Sequence, residues 1–305
     1  MGEKPFVSVV IPVYNDLDRL RACLTALEAQ SYACDRYEVI VVDNASSQPV
    51  CPAVAGFGHV VLEAEPQRGS YVARNRGVAA ARGDVLAFTD ADCRPAEDWI
   101  EAGVAELEAN PSCGLVAGRV RVVAEDPAAP TVVERYELAF GFPQERYARL
   151  GFGATANLFT RRDVFESVGG FDPSLQSGGD REWGLRATAS GFKAIYGDAV
   201  RIDHPARKTW GELVKKTVRT NRGMFELARK QGYGAGHATK LALADLKPPV
   251  RWIARRLQSD EPAGLRAKLS VIAVLMAHRW LRAGIWLSLG AGVVVGHIRH
   301  GRETQ

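Results

Sequence analysis

The chain has 305 residues, 47% hydrophobic and 24% charged, which excludes a disordered protein and allows one large or two modest domains. Its net charge of +4 hides an asymmetry: residues 1–205 carry 20 Lys and Arg against 29 Asp and Glu, and residues 206–305 carry 19 against 6. The basic part suits phosphates or anionic lipid; without zinc-finger spacing or an aromatic-interleaved basic motif, nucleic acid is not an expected partner.

An apolar, β-branched run over 6–15 stops at Pro12 and Asn15 and predicts a strand entering a loop. Leu17, Leu20, Leu24 and Leu27 follow at spacings of three and four, an amphipathic helix over 16–32 with Asp16 available as its cap. A second strand, 37–47, ends at Asp43, and this β-α-β order predicts a parallel sheet with a right-handed crossover. An Ala-rich helix over 69–84 closes at Gly83, a third strand covers 85–92, a helix 96–110 and a further strand 114–123. Beyond lie a Gly-rich stretch with short helices at 161–168 and 180–190, and a last strand and loop over 193–205. A basic helix (208–231), a linker containing Pro248 and Pro249, and an apolar helical C-terminus complete the chain. The expected division is an α/β domain over 1–205 and a helical, basic region over 206–305.

Five cysteines, odd in number and without a CxxC pair, predict buried free thiols in a reducing compartment. The start, MGEKPFVSVV, has no basic segment leading into an apolar core, so a cytoplasmic location is expected.

Asp43 and Asp90 both fall at carboxyl ends of predicted strands, where open α/β sheets bind ligands. On an extended chain Asp90 and Asp92 lie roughly 6–7 Å apart and point the same way. Two such carboxylates resist joint ionisation unless a cation joins them, and Mg²⁺ is held by one or two carboxylates plus substrate phosphates. Taken alone, the common tripeptide reads first as an acidic turn capping the next helix.

Taken together, VSVVIPVYND, VIVVDNAS, ARNRGVAAARGDVLAFTDAD, VGGFD and GGDREWGLRA resemble, in order and spacing, the family-2 glycosyltransferases over residues 6–225. The resemblance implies a GT-A fold and a metal-dependent, inverting transfer of a sugar from a nucleoside diphosphate to an acceptor hydroxyl, with Mn²⁺ or Mg²⁺. It assigns Pro12, Tyr14 and Asn15 to the nucleobase pocket, and Asp43, with Ser46, to the base or ribose. It assigns Arg74 to the nucleotide, Asn75 and Gly77 to the start of their helix, Asp90 to the ribose, and Asp92 with His204 to the metal. Taken singly, Arg74 also reads as a solvated helix residue and His204 as a loop histidine. The family usually shows Glu-Asp before a helix; here Gly179 replaces the Glu, which leaves Asp180 as the base and Glu182 in reserve. Asp180 also suits a helix cap. Phe171 and Trp183 read either as sugar-stacking surfaces or as core.

In the basic part, Trp210, Leu213, Val214 and Val218 lie among Lys215, Lys216, Arg219 and Arg222, a composition suited to an anionic membrane interface. Arg219 and Arg222 are expected to face either the donor diphosphate or the membrane. The apolar piece Ala283–Gly296 has 14 residues, short of the roughly 20 that span hydrocarbon, so a monotopic or re-entrant anchor is expected rather than a spanning helix, with burial against protein as the alternative. The donor is expected to be a UDP- or GDP-sugar, and the acceptor a lipid-linked or membrane-proximal glycan at the cytoplasmic face. The competing reading is a non-catalytic nucleotide- or glycan-binding relative. No Gly-rich phosphate loop with Lys supports a nucleotidyltransferase, and no GxGxxG follows the first strand to support a dinucleotide oxidoreductase.

Overall fold

The computed structural model describes residues 4–258 and 264–303, which form two compact units, Met1–Val122 with Gly141–Pro205 and Val123–Phe140 with Ala206–Gln305. The chain runs β1 (Val7–Val13), α1 (Leu17–Glu28), β2 (Tyr37–Asp43), α2 (Cys51–Val54), β3 (Val60–Ala64), α3 (Ser70–Ala80), β4 (Val85–Thr89) and β5 (Arg94–Pro95). It continues through α4 (Trp99–Ala109), β6 (Cys113–Val123), α5 (Val132–Phe140), α6 (Gln144–Arg149), β7 (Asn157–Arg161), α7 (Arg162–Val168), α8 (Gly179–Ala189) and β8 (Lys193–Pro205). Four further helices follow: α9 (Trp210–Lys230), α10 (Ala235–Leu246), α11 (Val250–Gln258) and α12 (Leu265–Glu303).

The first unit is built on one eight-stranded sheet, ordered β3-β2-β1-β4-β7-β6-β8-β5. Strands β3, β2, β1 and β4 are parallel, with Val7 opposite both Tyr37 and Val85 and Val13 opposite Asp43. Their carboxyl ends therefore share one edge, the place the loops carrying Asn15, Asp43 and Asp90 must occupy. The sheet continues antiparallel through β7, whose Asn157 sits opposite Thr89, while β5 pairs antiparallel with β8. One core beneath the sheet combines Val9, Ile11 and Val41 with Leu20, Leu24 and Leu27 of α1 and Trp99 and Ile100 of α4.

Several sequence expectations shift in detail. Asp16 stands at the N-cap of α1, but its carboxylate accepts from Arg19 Nη1 and makes no capping bond. Helix α3 ends at Ala80, before Gly83, because Gly83 is needed elsewhere: a Cβ there would lie 2.5 Å from the backbone N of Ser8. Asn75 and Gly77 lie inside α3, not at its start. Cys23, Cys93 and Cys113 are buried free thiols, but Cys34 and Cys51 are exposed. Strand β7 forms inside the Gly-rich stretch, where no strand was expected.

The second unit is helical. Segment 123–140, expected in the first domain, belongs here because Val133 and Tyr136 bury against Leu213 and Leu275. Helix α9 opens with a capping box, Thr209 Oγ1 accepting from Glu212 N and Glu212 Oε2 accepting from Thr209 N. Charged groups inside this unit close on one another: Glu137 pairs with Arg207 and Lys216, and Asp245 with Arg279 and Arg282. The His278 ring lies between Tyr136 Oη and Thr217 Oγ1, each 2.8 Å from a ring nitrogen. Among the described residues no helix is long and apolar enough to cross a membrane.

Candidate active site

The loops after β1 and β2 are tied together. Asn15, held at φ 53°, donates its N–H to Ser46 Oγ at 3.1 Å, and its Oδ1 accepts from the N–H and hydroxyl of Ser47. Asp43 Oδ1 accepts from Ser46 N at 2.9 Å, so one carboxylate oxygen orients the turn and the other remains for a ligand. Pro12 is partly buried at the end of β1, while Tyr14 is exposed with the Arg68 guanidinium 4.5 Å from its ring centre.

Beyond Thr89 the chain leaves the strand geometry that would align Asp90 with Asp92. Cys93 N donates to Asp90 O at 3.0 Å, closing a turn that sends the two carboxylates to different partners. Asp90 accepts from Arg74 Nη2, and the Arg74 side chain is only 4% exposed. Arg74 thus stands behind the site, holding Asp90, rather than presenting a free cation. Its Nη1 donates to Ser70 O at 3.3 Å.

Asp92 turns to His204. The imidazole is buried, its ring 4.7 Å from that of Phe142, and its Nδ1 lies 2.8 Å from Pro205 O. A carbonyl only accepts, so Nδ1 carries the proton, and in the neutral ring Nε2 offers its lone pair. That lone pair faces Asp92 Oδ2 across 3.6 Å, too far for a hydrogen bond. Two acceptors facing each other at this distance leave room for a cation between them. Donor atoms of Asp92, Cys93 and His204 lie within 4.8 Å of one another. Burial pushes the Cys93 thiol well above its usual range, with the charges of Asp90 and Asp92 adding to the effect. Cys93 therefore stays a neutral donor, its Sγ 3.8 Å from Asp92 Oδ1. One carboxylate and one imidazole without a thiolate fit Mn²⁺ or Mg²⁺ and leave coordination positions for phosphate and water. Burial raises the Asp16 carboxyl above its usual range, with Arg19 opposing the shift and the nearby Asp92 adding to it.

Asp180 is half-buried near the start of α8. Its Oδ1 accepts from Arg181 N at 2.8 Å and from Tyr71 Oη at 3.2 Å. Burial raises its pKa, while the Arg181 amide, Arg74 and the Tyr71 phenol pull it back. Gly179 has a steric reason, since a Cβ there would meet the Tyr71 ring at 2.8 Å. Tyr71, which the sequence reading did not single out, thus fills the space of the missing Glu side chain and hydrogen-bonds the neighbouring carboxylate. Its only sequence signal is the absence of that Glu, which demands a compensating neighbour. Glu182 is committed elsewhere, accepting from Arg186 Nε at 2.6 Å and Nη2 at 3.0 Å. Phe171 and Trp183 are core residues, packed with Phe165 and not open to a sugar. Arg219 and Arg222 are exposed on α9 in the second unit.

Comparison with known proteins gives this site a context. The family model for glycosyl transferase family 2 matches residues 8–169. The chain is 38% identical over 229 residues to Glycosyltransferase AglE of Haloferax volcanii, covering 73% of this chain and 74% of that one. It is 30% identical over 295 residues to Pre-mycofactocin glycosyltransferase of Mycobacterium tuberculosis, covering 91% of this chain and 57% of the relative, so it spans little more than half of that protein. It is 22% identical over 227 residues to a dolichyl N-acetyl-alpha-D-glucosaminyl phosphate 3-beta-D-2,3-diacetamido-2,3-dideoxy-beta-D-glucuronosyltransferase of Methanococcus voltae, covering 70% and 71%. Among solved structures it shares the fold of the mannosyltransferase PcManGT from Pyrobaculum calidifontis, in complex with GDP-Man and Mn²⁺. That match has TM-score 0.59 and 20% identity, and covers 98% of this chain and 76% of the other. The chain belongs to glycosyl transferase family 2, and it is a glycosyltransferase of the GT-A fold.

Proposed function

We propose that this glycosyltransferase moves a hexosyl group, with inversion, from a UDP- or GDP-sugar to a hydroxyl of a lipid-linked or membrane-proximal glycan at the cytoplasmic face. The observation that carries the reading is the pairing of Asp92 with His204, two acceptors 3.6 Å apart at a strand end, with Nδ1 already committed to Pro205 O. Asp92 and His204 would hold Mn²⁺ or Mg²⁺. When bound, the ion supplies Lewis-acid neutralisation of charge on the departing diphosphate.

The chain's own residues do the rest. Asp43, oriented by Ser46 N, accepts from the base or ribose, in a pocket shaped by Pro12, Tyr14 and Asn15. Asp90, braced by Arg74, faces the ribose. Asp180 takes the proton of the acceptor hydroxyl as that oxygen attacks the anomeric carbon and the bond to the diphosphate breaks. Its raised pKa suits a base that must accept and later release a proton. Glu182, neutralised by Arg186, is the weaker candidate. Arg219 and Arg222, exposed on α9, add positive charge available to phosphate or lipid headgroups. The acceptor class is supported by the dolichyl N-acetyl-alpha-D-glucosaminyl phosphate in the name of the Methanococcus relative and by the basic second unit.

The test is nucleotide release from UDP- and GDP-sugars with Mn²⁺, before and after chelation. Release that needs the metal and disappears in Asp180→Asn supports the reading. Release indifferent to chelation contradicts it.

A further inference from the structure

Three parallel strands end side by side in the sheet unit, and one buried side chain ties together the chain that leaves them. Val13 of β1 lies opposite Asp43 of β2, and Asp43 opposite Ala64 of β3, so Tyr14, Asn44 and Glu65 come next along the same edge. Asn44 N donates to Val13 O at 2.9 Å, and Glu65 N donates to Asp43 O at 2.8 Å. Beyond Glu65 the chain folds back over Asn44, whose side chain holds it by three bonds. Its Nδ2 donates to Glu65 O at 3.3 Å and to Gln67 O at 2.7 Å, and its Oδ1 accepts from Gly69 N at 2.8 Å. Glu65 turns into the same loop, its Oε1 accepting from Gln67 N at 2.8 Å.

The held loop reaches across β2. Strands β3 and β1 stand two strand spacings apart, about 9–10 Å. The loop leaving β3 nevertheless brings the Arg68 guanidinium to 4.5 Å from the ring centre of Tyr14, at the end of β1. Arg68 therefore lies over the end of β2, where Asp43 stands. A guanidinium on an aromatic face is held by cation–π attraction and stacking. Tyr14 is still 45% exposed, which leaves room for a second flat group. A nucleobase has such a π face, and uracil and guanine each carry an N–H for a carboxylate to accept.

We propose that Asn44 is a positioning residue for the donor, and that the Arg68–Tyr14 pair it holds in place grips the donor's base. The inference rests on the nucleotide-sugar reading above and adds the loop after β3 to it. Asn44 is only 6% exposed and acts through Arg68. Aspartate in its place would keep an acceptor for Gly69 N but set another acceptor against the carbonyls of Glu65 and Gln67.

The experiment is calorimetric binding of UDP, GDP and inorganic diphosphate to the full chain with Mn²⁺, with donor KM and kcat measured on the same samples. Arg68→Ala should weaken the preferred nucleotide about five-fold or more. Inorganic diphosphate, which has no base, should stay within about two-fold. Donor KM should rise with kcat little changed, the mark of binding shared by ground and transition states. Asn44→Asp should weaken the nucleotide too, and combining it with Arg68→Ala should add little, because one residue acts through the other. Arg149→Ala, at an exposed arginine of α6 in the same unit, should leave binding within about two-fold. Arg68 and Tyr14 are exposed, so Arg68→Ala and Tyr14→Leu should melt like the wild type. These two variants, with equal losses expected, decide the matter should Asn44→Asp fail to fold. Wild-type nucleotide affinity in Arg68→Ala, an equal loss for inorganic diphosphate, or additive losses in the double variant each overturns the proposal. If the wild type binds nucleotide while Arg68→Ala binds it equally well, only this inference falls. A wild type that binds neither UDP nor GDP removes the donor reading and this inference together.

Discussion

Both units close some buried charge on cations, the sheet unit at Arg74–Asp90 and Arg82–Glu38, but among the described residues the sheet unit also leaves the carboxylates of Asp92 and Asp180 outside such pairs. In the helical unit, Glu137 is enclosed by Arg207 and Lys216, and Asp245 by Arg279 and Arg282, so each carboxylate meets the cations that neutralise it. In the sheet unit, Asp92 faces a histidine acceptor, and among the described residues Asp180 meets a phenol and an amide and no salt-bridging cation. Closed pairs of the first kind hold helices in place. Open groups of the second kind keep capacity for something that arrives later, which is what a catalytic site requires. Their positions also differ in origin: the open groups stand at strand ends and a helix start, and the closed carboxylates lie on helices α5 and α10, met by cations of α9, α12 and the loop before α9.

This contrast breaks most visibly at Asp92 and His204, the pair proposed to hold the metal. Replacing Asp92 by alanine should lower transfer about 10³-fold, since Lewis-acid stabilisation is worth several kcal/mol, while leaving thermal stability near wild type. Comparable turnover in that variant would move the chemistry elsewhere. Asp180→Asn should cost about 10²–10⁴-fold in kcat with KM little changed, the range for a general base. In the closed region the sign reverses. Glu137→Ala should lower stability by about 3 kcal/mol, because it strands two partly buried cations, while metal-dependent nucleotide binding persists.

The pH dependence of stability separates the units again. Burial, aided by Arg282, Lys216 and Arg279 and opposed by Glu137, lowers the His278 pKa from 6.5 to about 4. The folded state therefore prefers the neutral ring. Its contribution is complete above pH 6.5 and is lost as pH falls toward 4, a drop of about 3 kcal/mol on acid titration. His278→Gln should flatten that slope in denaturant melts; an unchanged slope would assign it to other groups. The smallest expected effect sharpens the open region. Tyr71→Phe removes one hydrogen bond to the Asp180 carboxylate, about a ten-fold loss in kcat. Without that donor the Asp180 pKa rises, so the acid limb of the rate profile moves to higher pH. A loss of kcat with an unmoved limb would give Tyr71 a packing role only.

The parallel half of the sheet was legible because its strands are apolar runs covered on both faces, each ending in a polar residue at the same edge. Strand β3 escaped notice because Val61 and Leu62 are exposed at the sheet margin, so its pattern carries no burial signal. Strand β7 was hidden by flanking glycines and by Asn157. That residue is buried by bonding: its Oδ1 accepts from Trp99 Nε1 and its Nδ2 donates to Arg119 O and Val200 O. Helix α11 was hidden behind Pro248 and Pro249, which end one helix but also permit the next to start. Asp43, Asp92, His204 and Asp180 were marked by motif and spacing, and the fold brings Asp92 and His204 together. Arg74 and Tyr71 were not legible in the same way, because a helical sequence does not say whether an arginine serves a ligand or another side chain.

The central claim is that Asp92 and His204 share a divalent ion with the donor diphosphate, and manganese electron paramagnetic resonance tests it most directly. Titrating Mn²⁺ into the protein with UDP or GDP should give a bound-ion signal that needs the nucleotide and weakens at least ten-fold in both Asp92→Ala and His204→Ala. A wild-type signal in both variants would contradict the account.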